Sequence, residues 1–203
     1  EALERKNAQT MLTAGIHGAY RSGVETMAAT PGVQRVAEGQ TASTLHNAAQ
    51  AALFITDART LMEQPALSSE VFGPASQVVR AKDADELIAV AEQLEGQLTA
   101  TLHLEDADHP LARRLLPVLE RRAGRLLVNG FPTGVEVCHA MVHGGPYPST
   151  SNAMFTSVGA SAIDRFLRPV CYQDLPDALL PEALQQANPL GLWRLVDGAP
   201  VRA

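Results

Sequence analysis

The sequence predicts an α/β fold built on a parallel sheet. Three features carry that expectation: short apolar runs alternate with amphipathic helical segments, the connections between them are brief, and a loop-rich stretch follows the last run. Strand, helix, strand, helix, strand with short links requires crossovers that bring successive strands in parallel. The α/β core is therefore expected over residues 51–129.

Taken in order, residues 1–29 read as helical with a break near Thr13 to Gly15, because Ile16, Tyr20, Val24 and Met27 recur at helix spacing. Thr30-Pro31-Gly32 ends that segment. Val33 to Val36 suits a short strand, and residues 39–50 are polar and read as loop. Ala51-Ala52-Leu53-Phe54-Ile55-Thr56 is short, continuous and apolar, as a buried strand requires. Ser76 to Arg80 is the next strand. Asp83 and Glu86 form an acidic capping-box pattern opening a helix, with Leu87, Ile88, Ala91 and Leu94 on one face. Gly96 stands where a left-handed C-terminal cap is wanted.

Leu98, Ala100, Leu102 and Leu104 alternate with polar residues at strand period. Asp108 and Pro110 open a second helix with Leu111, Leu115, Val118 and Leu119 on one side. Pro117 inside it is expected to kink or split it, and Gly124 to close it before a strand over Arg125 to Asn129. Residues 131–159 are rich in Gly, Pro, Ser and Thr and read as functional loop. A short helix near Ser161 to Phe166, a strand over residues 168–173 and a proline-bearing tail complete the chain.

The composition bounds the chemistry. Across 203 residues, 46% hydrophobic and 19% charged content is ordinary for a globular protein. A formal charge of −6 without a Lys/Arg cluster argues against nucleic acid or an anionic membrane as partner. Arg113-Arg114 and Arg121-Arg122 read as a solvated helix face. Cys138 and Cys171 form neither a CxxC pair nor a disulfide framework, which fits a reducing, cytoplasmic setting. No metal-ligand spacing links the six histidines to cysteines or carboxylates. Cys138 has His139 as its sequence neighbour, but adjacent residues of an extended loop point apart. Both thiols are expected to be buried or inert.

Glu70-Val71-Phe72-Gly73-Pro74 compresses an acid, an aromatic and a tight turn into five residues just before a core strand. A carboxylate there can accept hydrogen bonds from vicinal hydroxyls while a ring covers a flat heterocycle. Equally, it can be a solvated Glu beside a core Phe where an element ends.

This segment resembles the signature of NAD(P)-dependent aldehyde dehydrogenases. The resemblance continues through Gly124-Arg125-Leu126-Leu127-Val128-Asn129 and His143-Gly144-Gly145-Pro146-Tyr147-Pro148, in the right order over most of the chain. It implies that Glu70 binds the hydroxyls of the nicotinamide ribose and that Phe72 packs beside the nicotinamide of NADP or NAD. Met11-Leu12-Thr13-Ala14-Gly15-Ile16-His17, the segment from Met141 to Pro148, and Arg168-Pro169-Val170-Cys171-Tyr172-Gln173 are similar to the branch that oxidises 2-oxoglutarate semialdehyde to 2-oxoglutarate. His143 departs from the Phe that many members carry, which leaves generic pocket assignments open. Phe131, Thr133, Val135 and His143 are the substrate-pocket candidates, or else anchors of a plain loop.

The resemblance also implies a thiolate attack, a hydride transfer and hydrolysis of a cysteine thioester. Nucleophile, general base and cofactor domain would lie upstream of Glu1, so the chain is expected to hold no catalytic residue and to be inactive alone. Residues 1–159 would be a partial catalytic domain, with active-site loops over 130–159. Residues 160–203 would supply an oligomerisation strand, from Phe166 to Gln173, and a tail. The rival reading is a non-catalytic α/β assembly or binding module derived from the same fold.

Overall fold

In the computed structural model, which describes residues 1–42, 44–132 and 134–202, the chain divides into two compact units, Glu1–Ala162 and Ile163–Ala203. The first begins with a short 3-10 turn at Leu3–Arg5 and strand β1 (Gln9–Thr10), then helix α1 (Ala14–Ala29). The expectation of a helix from Glu1 is corrected: α1 starts only at Ala14. The Thr13 hydroxyl caps it by accepting the Ile16 N–H at 3.2 Å. Helix α1 buries Tyr20 and Met27 and stops at Thr30, ahead of Gly32 with φ 83°.

Strands β2 (Gln34–Glu38), β3 (Ala48–Ala49) and β4 (Ala52–Asp57) follow. β4 is the central strand of a three-stranded sheet, antiparallel to β2 and parallel to β5 (Ala75–Arg80). Its alternating burial places Phe54, 0% exposed, among Met27, Ala52, Val24, Val33 and Val71. Helix α2 (Ala58–Glu63) makes the β4–β5 crossover, capped by Asp57 accepting the Thr60 N–H at 2.7 Å.

Helix α3 (Ala84–Gln93) is capped by Asp83, whose carboxylate accepts the Glu86 N–H at 2.9 Å. The reciprocal half of the expected capping box is displaced by one residue, because Glu86 accepts from the Lys82 N–H at 2.6 Å. Val90 and Ala91 are its buried residues, whereas Leu87 is exposed. Strand β6 (Gln97–Leu102), helix α4 (His109–Arg122) and strand β7 (Ala123–Val128) form a second parallel unit. Leu115, Val118 and Leu119 of α4 pack on Ala91, with Leu111, Ile88, Ala100, Leu102 and Leu126 around them.

Three local expectations are settled differently, the first in part. Pro117 does not split α4, which runs through it as one helix; the Pro117 carbonyl accepts from Arg121 Nη1 at 2.6 Å. Gly96 is no left-handed cap, since α3 ends at Leu94 with φ −59° and ψ 138°. Gly124 lies inside β7, and Ala123 is the C-cap of α4. Both glycines instead admit the close approach of another segment's backbone.

The β4–β5 and β6–β7 pairs are separate hydrogen-bonded sheets among the described residues. The second unit carries 3-10 turns at Asp177–Leu179 and Glu182–Leu184 and a hairpin of β8 (Arg194–Val196) and β9 (Ala199–Val201). Residues 168–173 form no ladder with any described strand. An isolated strand has no partner for its backbone donors and acceptors, and Phe166, Leu167, Val170 and Tyr172 are exposed. No helix among the described residues is long and apolar enough to cross a membrane.

Candidate functional site

The turn from Glu70 to Pro74 enters β5 from a 3-10 turn at Pro65–Ser68. Helix α1 holds it from below. A Cβ on Gly23 would lie 2.8 Å from Val71 Cγ1, so the glycine lets Val71 sit against the helix backbone. Gly73, with φ 153°, packs on the Tyr20 ring, where a Cβ would be 2.8 Å from Cε2. The Tyr20 hydroxyl donates to the Gln50 carbonyl at 2.5 Å, and the Ala52 N–H donates to the Pro74 carbonyl at 3.0 Å. Burial, and then the charge of Glu38, push the Tyr20 phenol above its ordinary pKa.

Val71 is partly buried in the cluster around Phe54, whereas Glu70 and Phe72 are exposed. Phe72 is 65% exposed, and the exposed Glu70 carboxylate has no hydrogen bond or ion pair among the described residues. Glu70 lines two depressions. One, of about 550 Å³, is bounded by Phe72, Gly73, Met27 and Gln77. The other, of about 520 Å³, has Ser68 and Glu70 with Gly96, Gln97, Pro148 and Ser149.

The wall bearing Pro148 and Ser149 is set by glycines. A Cβ on Gly96 would collide with the carbonyls of Pro146 and Tyr147, and one on Gly124 with the Gly144 carbonyl. Gly145 in turn lies against the Gln97 carbonyl. Residues 144–147 thus rest directly on the backbones of β6 and β7. His143 anchors the loop by donating its N–H to Thr156 Oγ1 at 2.7 Å, while its carbonyl accepts from Ser157 N at 3.0 Å and Ser157 Oγ at 2.9 Å.

The other pocket candidates lie apart from these two depressions, neither of which is lined by Phe131, Val135 or His143. Phe131, 77% exposed, stacks obliquely on His103 at 5.2 Å between centroids. Val135 is partly buried, and Thr133 falls outside the described residues. Cys138 and Cys171 are both exposed, so of the expectation of buried or inert thiols the burial does not hold. The loop around Cys138 offers backbone bonds to Ala160 and Met141 but no burial.

The sequence placed Asn129 at the end of the last core strand but did not reveal its clamp on Leu104. Asn129 adopts φ 53° past the end of β7, its side chain accepting from Leu104 N and donating to Leu104 O, both at 2.8 Å. The amide thereby extends the β6–β7 ladder and launches the pocket loop. The expected strand ends one residue early, at Val128, and an Asn-Gly pair at its end was the available signal.

Alpha-ketoglutaric semialdehyde dehydrogenase 2 of Azospirillum brasilense is 61% identical over 198 residues, which are 98% of this chain and 38% of that protein. This chain is homologous to part of an aldehyde dehydrogenase. The alpha-ketoglutaric semialdehyde dehydrogenase of Acinetobacter baylyi is 49% identical over 191 residues, covering 94% of the chain and 36% of that relative. The chain therefore spans well under half the length of either. No protein-family model matches it. Among solved structures, betaine aldehyde dehydrogenase of Staphylococcus aureus, a P449M variant in complex with NAD+, superposes with a TM-score of 0.59 at 16% identity. That match covers 77% of this chain and 30% of the other. It shows the fold: α/β, with the parallel strands of the aldehyde dehydrogenase architecture.

Proposed function

We propose that the intact polypeptide containing these residues is an NAD(P)-dependent aldehyde dehydrogenase that oxidises 2-oxoglutarate semialdehyde to 2-oxoglutarate through a cysteine thioester. The observation that carries this reading is the Glu70-to-Pro74 turn, seated on Gly23 and Tyr20 of α1 and presenting a carboxylate without a partner among the described residues beside an exposed ring. Correspondence with the two semialdehyde dehydrogenases over almost the whole chain supports the substrate.

The residues present fit a nicotinamide nucleotide. Glu70 can accept hydrogen bonds from two vicinal ribose hydroxyls without giving up an existing partner, and charge assistance strengthens them. Phe72 offers a face to a flat ring. The bound nucleotide supplies a hydride acceptor. The turn orients it and excludes water from one side. The thiol, its general base and the dinucleotide domain belong to other parts of the polypeptide, and residues 1–203 alone do not turn over. Residues 166–173 take a partner strand from a second subunit, which accounts for their exposed apolar side chains.

Reduction of NAD or NADP by the intact polypeptide, with the semialdehyde as substrate, is the direct test. The 203-residue chain assayed beside it is expected to give none. An intact polypeptide that reduces neither cofactor with this aldehyde overturns the proposal, and turnover by the 203 residues overturns the placement of the thiol elsewhere.

A further inference from the structure

The two exposed side chains of the Glu70-to-Pro74 turn are not steadied at their own tips. The Glu70 carboxylate has no hydrogen bond or ion pair among the described residues, and Phe72 is 65% exposed. Their aim is therefore set by the backbone of the turn and by what that backbone rests on. Among the described residues it has three supports: Val71 on Gly23, Gly73 on the Tyr20 ring, and the Pro74 carbonyl on the Ala52 N–H at 3.0 Å.

Tyr20 differs from the other two supports. It is 4% exposed yet stands outside the apolar cluster of Phe54, Ala52 and Met27, which α1 joins through Met27 and Val24. Its ring lies instead under Gly73, where a Cβ would be 2.8 Å from Cε2 and 3.0 Å from Cγ. Gly73 follows Phe72 directly and holds φ 153°, so the ring supports the backbone at the residue next to the exposed aromatic. The hydroxyl at the far end of the ring donates to the Gln50 carbonyl at 2.5 Å, and Gln50 Nε2 donates to the Gly39 carbonyl at 2.8 Å. The Gly39 N–H in turn donates to the Ala51 carbonyl at 2.7 Å. A strut thus runs from α1, under the turn, to the segment entering β4. Contact with Gly73 needs only the ring. The hydroxyl bond sets the ring's tilt, because a hydrogen bond is directional and an apolar contact is not.

We propose that Tyr20 is a positioning residue for the nicotinamide nucleotide: its phenol, tethered to Gln50, holds Gly73, and with it Phe72 and Glu70, at the angle the nucleotide meets. This rests on the dehydrogenase reading above and deepens it, because part of the cofactor's affinity then comes from α1 through a buried residue. Side chains already aimed lose less freedom when the ligand binds.

The test is a double-mutant cycle in the intact polypeptide, with Tyr20→Phe, Glu70→Gln and both together, assayed by cofactor reduction with 2-oxoglutarate semialdehyde. Tyr20→Phe removes the tether and keeps the ring. It is expected to raise the cofactor KM about 3- to 10-fold, the worth of one hydrogen bond, with the aldehyde KM and the kcat at saturating cofactor within about two-fold. In the Glu70→Gln background the same substitution should raise the cofactor KM by only about two-fold or less, because the carboxylate it aims is gone. A merely structural role would lower kcat through fewer folded molecules and leave the cofactor KM alone, or act equally in both backgrounds; either result overturns the assignment. Should Tyr20→Phe fail to fold, Gln50→Ala decides: it loosens the acceptor and should raise the cofactor KM about two- to three-fold, and an unchanged KM overturns the proposal. An enzyme whose cofactor KM responds to Glu70→Gln but not to Tyr20→Phe defeats the Tyr20 assignment only. A wild type that reduces neither NAD nor NADP with this aldehyde defeats the dehydrogenase reading and Tyr20 with it.

Discussion

Replacing Gly124 by Ala tests whether the 144–147 loop is seated on strand backbones. The added methyl would lie 2.6 Å from the Gly144 carbonyl carbon and 2.9 Å from Gly145 Cα, and closer still to the Gly144 oxygen. None of these atoms is a flexible side-chain end, so the loop backbone itself must lift. Overpacking of a close-packed site costs about 1–3 kcal/mol. Lifting the loop also strains the bond from His143 N to Thr156 Oγ1, worth about 1 kcal/mol. Against this, Ala removes about 0.4–1 kcal/mol of unfolded-chain entropy. The net expectation is a destabilisation of about 1–3 kcal/mol. Gly18→Ala is the control. It makes the same chemical change inside α1 where a Cβ meets nothing within 4 Å, and should stabilise by about 0.5–1 kcal/mol. Urea titration of both variants reads the two free energies from midpoint and slope. A Gly124→Ala chain at least as stable as wild type would refute the close seating of the loop.

Phe54→Ala, at the fully enclosed centre of β4, should lose about 3–5 kcal/mol in the same titration; a loss under about 1 kcal/mol would mean that the β4 core is not as packed as described. The Thr60 backbone and side-chain hydrogen bonds hold the Asp57 carboxyl below its ordinary range. Its contribution is thus present above the unfolded-state pKa and lost as pH falls through the lower folded one. Asp57→Asn keeps a cap but cannot titrate, so its acid limb should be shallower than wild type, and identical acid limbs would contradict this. Glu70→Gln in the intact polypeptide should raise KM for the nicotinamide cofactor about 10-fold while moving the aldehyde KM far less. An unchanged cofactor KM would remove Glu70 from that role.

Much of the core was legible because its signals are local and repeated. The continuous apolar run of β4, the alternation in β6, the cap at Asp83 and the helical stripe of Leu115, Val118 and Leu119 are all signals carried by residues within one or two turns or a single strand. The start of α1 was misplaced because residues 1–13 are helix-compatible in composition, while Gln9 and Thr10 are claimed by pairing with Ala49 and Ala48, some forty residues away in the chain. Glycine was the least legible residue. Gly96 and Gly124 each stand where a helix cap is wanted, and in each case the backbone of a loop more than ten residues distant decides the need.

For the site, the chain by itself determined that an acid and an aromatic share a tight turn before a strand, and that this turn resembles a dehydrogenase signature. Tertiary structure alone decided that the turn is clamped on α1 at Gly23 and Tyr20, that Glu70 has no partner among the described residues, and that Pro148 and Ser149 share its depression. It alone decided, too, that the Nε atom of the partly buried Arg125 is closed off from solvent without an acceptor among the described residues. A side chain's chemistry is written locally, but its burial and its partners depend on contacts between segments remote in sequence, which no local period encodes.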